Sequence, residues 1–387
     1  MTSHTYDIID FDPEVFVQQY WQKKPCIIRK LFPNFQDPVD ADTLAGLALE
    51  EDVDARIVSF ADEQWDVHQS PFTADDINES CVGSWTLMVQ GVDNYLPQTK
   101  ALTEKFAFIP HWRFDDLLVT YSVAGGGVGA HYDEYDVFIV QGMGQRRWQV
   151  GHKLNSSSEK LYPHAHLQQV KPFEPIIDIV MLPGDVLYIP PFYPHQGKSI
   201  TECFNYSVGF RAPNQSELLQ GLADGILDND LLTKRFCDPH RVITHKRSAV
   251  NGHDIFVLKQ LMHQFIDLDE TDYLLTEMLS KTYHPIHDEY ALESPHSSAE
   301  MLRMVNAGLT IAPNLGIRPL YPEHQTNEFF VFFINGRRYA VDALDRPFFE
   351  RLLNETKLKI TPSERLQFSS VNILAELVNE GFYEVLD

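Results

Sequence analysis

The stretch from residue 116 to residue 211 most constrains what this chain can become. It holds six short runs of β-branched and apolar residues: Asp116–Val123, Asp136–Val140, Arg146–Val150, Ile176–Leu182, Val186–Pro190 and Cys203–Phe210. Turn residues separate them, among them Gly125-Gly126-Gly127, Gly142-Met143-Gly144-Gln145 and Pro183-Gly184-Asp185. Many short strands divided by Gly and Pro turns predict a β-sandwich or barrel rather than a parallel sheet wound with helices.

The flanks read differently. Glu14–Trp21 and Ala41–Glu50 have helical spacing, Ala55–Val67 alternates in places as a strand does, and Trp85–Val89 is an apolar run leading to Gly91. Beyond residue 214, Leu218, Leu219, Leu222 and Ile226 recur at helical intervals. So do Ile255, Leu258, Leu261, Met262 and Phe265, then Leu274, Leu275 and Met278. A helical block is expected over 214–300, with 15 acids against 7 Lys plus Arg. Its apolar stripes need cover, from the barrel or from a second subunit.

The last part, 301–387, is α+β. Phe329–Ile334, Asn335-Gly336 and Arg337–Val341 predict a hairpin, because Asn-Gly suits a type I′ turn. Asp345–Asn354 reads as a helix with Pro347 in its first turn. Ser369 or Ser370 is expected to cap a final helix that runs to Asn379 and stops at Gly381. Helices plus a hairpin over this length resemble a winged helix. Its 9 Lys plus Arg against 11 acids do not make a nucleic-acid-reading surface.

Chemistry concentrates at His131-Tyr132-Asp133. Residues two apart on a strand share a face, so imidazole and carboxylate can reach one ion. His195, in Pro194-His195 after another strand, is the candidate third ligand. Two His and one carboxylate on one side of an ion leave three positions open, the arrangement of non-haem Fe(II) oxygenases. Such a site also accepts manganese, cobalt or nickel. The pattern itself is common: with 16 His and 55 acids, about two such matches arise by chance, and His287-Asp288-Glu289 is a second. That one lacks a strand pattern, with His296 the nearest His downstream, and is read as the chance match. The first follows a glycine-rich turn, is expected to open a strand and has a distant His after another strand; its alternative is a satisfied core or surface histidine.

An open metal site needs a co-substrate, and a 2-oxo acid would need a cation for its far carboxylate. Alternation places Arg146 with Trp148 and Val150 on one face and Arg147 with Gln149 on the other. Arg146 is then the interior arginine, suited to a bidentate carboxylate contact, or else a surface arginine paired with an acid. Asn205 and Ser207 share a polar face that either lines a cavity or meets solvent. Ser122 or Tyr121 can offer a hydroxyl to the same carboxylate.

Composition narrows the setting. The 55 acids against 31 Lys plus Arg give a formal net charge of −24, which repels phosphate backbones and anionic lipid and favours a basic partner. The four cysteines, Cys26, Cys81, Cys203 and Cys237, form no C-x-x-C pair and fit a reducing compartment. No apolar run reaches the roughly 20 residues of a membrane span, and the first ten residues lack a basic signal-peptide start. A cytoplasmic location is expected, with no membrane partner.

These residues resemble a family. Tyr121 to Phe138, Gly144 to Gly151, Pro183 to Pro190 and Phe204 to Arg211 look like the motifs of bacterial ribosomal oxygenases, JmjC-type 2-oxoglutarate dioxygenases of the cupin superfamily. The resemblance implies a double-stranded β-helix (jelly-roll) catalytic domain over 1–213, a helical dimerisation segment over 214–300 and a winged-helix-like domain over 301–387. It implies Fe(II) bound by His131, Asp133 and His195, with 2-oxoglutarate and O₂ as co-substrates. Arg146 would hold the far carboxylate, with Ser122 helping and Asn205 beside the metal or co-substrate. The implied reaction is hydroxylation of an arginine in large-subunit ribosomal protein L sixteen, releasing succinate and CO₂, by a homodimer. A basic substrate gives the acidic surface a partner. The alternatives are a JmjC hydroxylase of histidine or asparagine, a lysine demethylase, or a non-catalytic ribosome-binding module.

Overall fold

A computed structural model describes the chain apart from residues 1–5, 9, 155–168, 230, 232–233, 244–245, 247, 267, 283–289, 326–327 and 387. It falls into two compact units, Met1–Ala212 and Pro213–Asp387.

The first unit carries strands β1 (Asp7–Ile8), β2 (Cys26–Ile28), β3 (Ala55–Ala61), β4 (Gln64–Gln69), β5 (Ser84–Val89), β6 (Phe114–Ser122) and β7 (Asp136–Gln141). They are followed by β8 (Arg146–Gly151), β9 (Pro175–Met181), β10 (Val186–Ile189), β11 (His195–Ser199) and β12 (Cys203–Phe210). A nine-stranded sheet runs β1-β2-β10-β7-β12-β6-β5-β3-β4, and a three-stranded sheet runs β11-β8-β9. This is the β-sandwich that the short runs and tight turns predict.

Strand β7 shows why the centre reads as a continuous apolar run. Val137 and Ile139 join Trp148, Val150, Ile177, Leu187 and Ile189 in one core cluster. Phe138 and Val140 join a second cluster with Phe16, Phe106, Tyr188 and Phe210. Both faces of β7 are buried, so alternation has no solvent side to mark. The second cluster is rich in aromatic contacts: the Phe138 ring lies 4.6 Å from that of Phe106 and 4.9 Å from that of Tyr188. Its other wall includes Phe16, from the helix α1 (Pro13–Gln19), whose N-cap Asp12 accepts from the backbone N–H groups of Glu14 and Val15.

Three expectations are corrected in this unit. Ala55–Val67 is not one strand: Asp62 and Glu63, with φ of 50° and 60°, turn it into the β3–β4 hairpin. His131 does not open a strand, because β7 begins at Asp136 and His131 makes only isolated bridges to Gln169 and His195. His195 begins β11, a strand whose sequence His-Gln-Gly-Lys-Ser carries no β signal.

Three further helices belong to the first unit: α2 (Ala41–Ala48), α3 (Ala74–Ser80) and α4 (Lys100–Thr103). In the second unit, the helical segment is α5 (Gln215–Asp228), α6 (Gly252–Ile266) and α7 (Asp269–Ser280). The remainder holds α8 (Ser298–Ala307), β13 (Leu309–Pro313), β14 (Phe329–Ile334), β15 (Arg337–Asp342), α9 (Arg346–Asn354), β16 (Leu358–Ile360), α10 (Phe368–Asn379) and β17 (Tyr383–Leu386). Tyr273 of α7 packs with Val331 and Phe333 of β14, so the helical segment and 301–387 cluster as one unit rather than two. The β14–β15 turn has Asn335 and Gly336 at φ 47° and 76°, the type I′ geometry expected of Asn-Gly. Helix α10 starts behind an extended Gln367, two or three residues earlier than a Ser369 or Ser370 cap would place it; Ser370 is fully buried inside the helix.

Candidate active site

A cavity of about 290 Å³ lies in the first unit, lined from β3, β5, β6, β7, β8 and β12 and by the loop that carries His131. His131 and His195 are paired as antiparallel neighbours: each backbone N–H donates to the other's carbonyl, at 3.0 and 2.7 Å. Directly paired residues put their side chains on one face, and the two imidazole rings stand 4.3 Å apart.

Asp133 is fixed from its own backbone. The Phe192 N–H donates to the Asp133 carbonyl at 2.8 Å, from a turn in which Phe192 takes a φ of 67°. Bulky residues rarely adopt that conformation. Three residues later Asp136 anchors the start of β7: fully buried, it accepts from Tyr188 Oη at 2.6 Å, Gln22 Nε2 at 2.9 Å and Arg113 at 3.0 Å. The loop from Asp133 to β7 is thus pinned at both ends.

Each histidine directs one nitrogen to a backbone carbonyl. His131 Nδ1 lies 3.1 Å from the Gly129 carbonyl and His195 Nδ1 lies 3.0 Å from that of Tyr193. A carbonyl only accepts, so Nδ1 carries the proton and Nε2 keeps its lone pair. His195 Nε2 faces Asp133 Oδ2 at 3.5 Å. Burial, then the neighbouring His131, lowers the His195 pKa to about 4, which keeps the ring neutral at ordinary pH. Among the described residues, His131, Asp133 and His195 bring ligand atoms within 4.8 Å of one another. Two imidazoles and a carboxylate on one side fit a divalent first-row metal with open positions. Gly129 has φ 81°, and a Cβ there would fall 2.4 Å from Gln169 Nε2, so the turn before His131 requires glycine.

Arg146 lies on the interior face with Trp148, as alternation predicts, and is 3% exposed. Its Nη1 donates to Asn205 Oδ1 at 3.1 Å and Ser122 Oγ at 3.3 Å; its Nη2 donates to the Gly197 carbonyl at 3.3 Å. All these acceptors are neutral, and Nε has no partner. Burial presses the guanidinium below its ordinary pKa, with the Cys203 thiol acting in the opposite direction. A buried cation with only neutral partners, lining a cavity, is suited to receive an anion. Arg147, by contrast, is exposed and pairs with Asp178.

Ser122 and Tyr121 part ways on β6. Ser122 is fully buried beside Arg146, while Tyr121 Oη donates to Glu202 at 3.2 Å on the other side of the sheet. Asn205 and Ser207 both line the cavity, whereas Phe204, Tyr206, Val208 and Phe210 face the aromatic core. Tyr135 lines the cavity, Asp136 points away from it, and Glu134 is exposed. His287-Asp288-Glu289 lies outside the described residues. His296 serves through its backbone, which exchanges hydrogen bonds with the Asn379 side chain.

Sequence reasoning missed Thr86 and Gln141, the residues that hold Ser122 and Asn205. Thr86 Oγ1 lies 2.8 Å from Ser122 Oγ, and Asn205 Nδ2 donates to Gln141 Oε1 at 3.0 Å. Only cross-strand register could have found them: Thr86 pairs with Ser122 and Gln141 with Asn205.

Known proteins share this architecture. A family model described as the JmjC domain matches residues 101–218. The ribosomal protein uL16 3-hydroxylase of Escherichia coli (strain K12) is 38% identical over 372 residues, which cover 95% of this chain and 96% of that protein. The probable ribosomal oxygenase of Haemophilus influenzae is 40% identical over 259 residues, covering 65% of this chain and 63% of its own. The structure of YcfD, a ribosomal oxygenase from Escherichia coli, in complex with cobalt and 2-oxoglutarate matches with a TM-score of 0.85 at 35% identity, covering 98% of this chain and 99% of that one. With its sandwich, its cavity and near full-length similarity to these proteins, this chain belongs to the JmjC-domain ribosomal oxygenases.

Proposed function

We propose that this protein is a 2-oxoglutarate-dependent oxygenase that hydroxylates an arginine side chain of ribosomal protein uL16. The observation that carries the reading is the conjunction, in one cavity, of the His131-Asp133-His195 donor set with a buried Arg146 that has only neutral partners.

In this reading His131, Asp133 and His195 hold Fe(II), and Arg146 holds the far carboxylate of 2-oxoglutarate, with Ser122 and Asn205 as its neighbours. Bound iron, with 2-oxoglutarate and O₂, supplies the oxidising power for hydroxylation and yields succinate and CO₂. The protein's own part is orientation. The carbonyls of Gly129 and Tyr193 fix the imidazole tautomers, and the two sheets exclude bulk water from Arg146.

A cationic substrate suits the cavity. The Tyr135 hydroxyl is held well above its ordinary pKa, first by Asp133, then by burial and by Asp116 and Asp115; Arg56 opposes this. With Asp133 assigned to the metal, Asp116 and Asp115 are the acids left near Tyr135, Asp115 already paired with Arg211. Met88 and Leu118 offer apolar wall for the methylenes of a long side chain. The test is succinate formation from 2-oxoglutarate with and without a basic, arginine-bearing uL16 fragment. Stimulation by the fragment, and not by one with that arginine changed to lysine, is the expected result.

A homodimer formed through 214–300 belongs to the same proposal. It is supported by apolar side chains left exposed on α5 and α6, with Leu219 59%, Phe256 57% and Met262 65% exposed. The winged-helix-like reading of 301–387 rests on its three helices and the β14–β15 hairpin. The absence of a net basic charge there speaks against direct nucleic-acid binding.

A further inference from the structure

We propose that Gln141 is a positioning residue for 2-oxoglutarate, acting by fixing which end of the Asn205 amide faces Arg146. The inference rests on the reading of Arg146 as the carboxylate holder.

An asparagine amide has an acceptor end and a donor end of nearly equal shape. At Asn205 the choice decides whether Arg146 meets an acceptor or another donor. Arg146 Nη1 donates to Oδ1 at 3.1 Å, so Nδ2 must point the other way. There it donates to Gln141 Oε1 at 3.0 Å. Gln141 is itself oriented: its Nε2 donates to the Phe204 carbonyl at 3.1 Å, which turns Oε1 toward Asn205. The chain Phe204 carbonyl, Gln141, Asn205, Arg146 therefore has a single consistent direction. Gln141 and Asn205 are 0% and 1% exposed, so no solvent competes for either amide. Cross-strand register makes the pair obligatory, since Gln141 of β7 lies directly opposite Asn205 of β12.

Without an acceptor at position 141, the Asn205 amide is free to turn its NH₂ group toward a guanidinium that only donates. Arg146 then loses the contact that sets its plane, and a bidentate carboxylate contact depends on that plane. Gln141 is not among the residues that line the cavity; it acts through Asn205.

The test is calorimetric binding of 2-oxoglutarate, and of 2-oxopentanoate, which lacks the far carboxylate, to the Mn(II)-loaded protein. Gln141→Met should weaken 2-oxoglutarate about tenfold, the loss of one charge-assisted contact, and leave 2-oxopentanoate and Mn(II) binding unchanged. In an Asn205→Ala background the same substitution should have no further effect. Gln141→Asn, which keeps an amide but falls short of Asn205, should weaken 2-oxoglutarate likewise and serves if the Met variant does not fold. Unchanged 2-oxoglutarate binding in the Gln141 variants, with binding lost in Arg146→Met, overturns the inference and spares the Arg146 reading. Equal weakening of both acids, or an undiminished effect in the Asn205→Ala background, assigns Gln141 a structural role only. Full 2-oxoglutarate binding in Arg146→Met overturns both.

Discussion

His131 and His195, 64 positions apart in sequence, are paired through two backbone hydrogen bonds of 3.0 and 2.7 Å, with their rings 4.3 Å apart. The relationship makes the spacing of two metal-donor side chains a property of the main chain. Side-chain packing need only turn the rings, and the carbonyls of Gly129 and Tyr193 do that.

Loss of one donor should therefore abolish turnover without unfolding the protein. His131→Ala removes an imidazole but neither backbone bond. Succinate formation is expected to fall by at least about a hundredfold, with the circular dichroism spectrum unchanged. Persistent turnover would remove His131 from the metal site.

Arg146→Met should separate co-substrate binding from folding. The substitution removes a buried charge that has no ionic partner among the described residues, so the free protein should lose little stability or gain some. 2-Oxoglutarate should raise the melting temperature of the unsubstituted protein and leave that of Arg146→Met unmoved, which a thermal shift assay reads directly.

Gly197→Ala should act at the same place by crowding. A Cβ at 197 would lie 2.6 Å from Arg146 Nε and 2.8 Å from the Trp148 ring. Overpacking of this kind costs about 1–3 kcal/mol. The KM for 2-oxoglutarate should rise more than kcat falls, because Arg146 has to shift while the metal donors stay in place.

Acid should destabilise the metal-free protein through His195. Its pKa is about 4 when folded, below the ordinary 6.5. Between these values the unfolded chain binds a proton that the folded one does not, so stability is full above about pH 6.5 and falls toward pH 4. The change is on the order of 3 kcal/mol, measured by urea unfolding across that range. His195→Ala should flatten the profile.

What the sequence disclosed, and what it hid, follows from strand physics. Arg146 was legible because Trp148 and Val150 mark the inward face of β8, and the β12 face of Asn205 and Ser207 because aromatic residues mark the opposite one. Strand β11 was hidden because His195–Ser199 is held by pairing with β8 rather than by β propensity. The true setting of His131 was hidden too, since an isolated bridge leaves no periodic pattern. Gln141 sits in a strand buried on both faces, where a polar residue is visible but its partner is not. Partners across strands depend on register, and register is a tertiary fact.

Arginine hydroxylation is read most directly from the mass of a uL16 fragment after incubation with the protein, Fe(II), 2-oxoglutarate and O₂. The expected result is a gain of one oxygen, about 16 Da, located on an arginine and absent when His131→Ala replaces the protein. An unchanged mass, with iron and 2-oxoglutarate both shown to be bound, would contradict arginine hydroxylation.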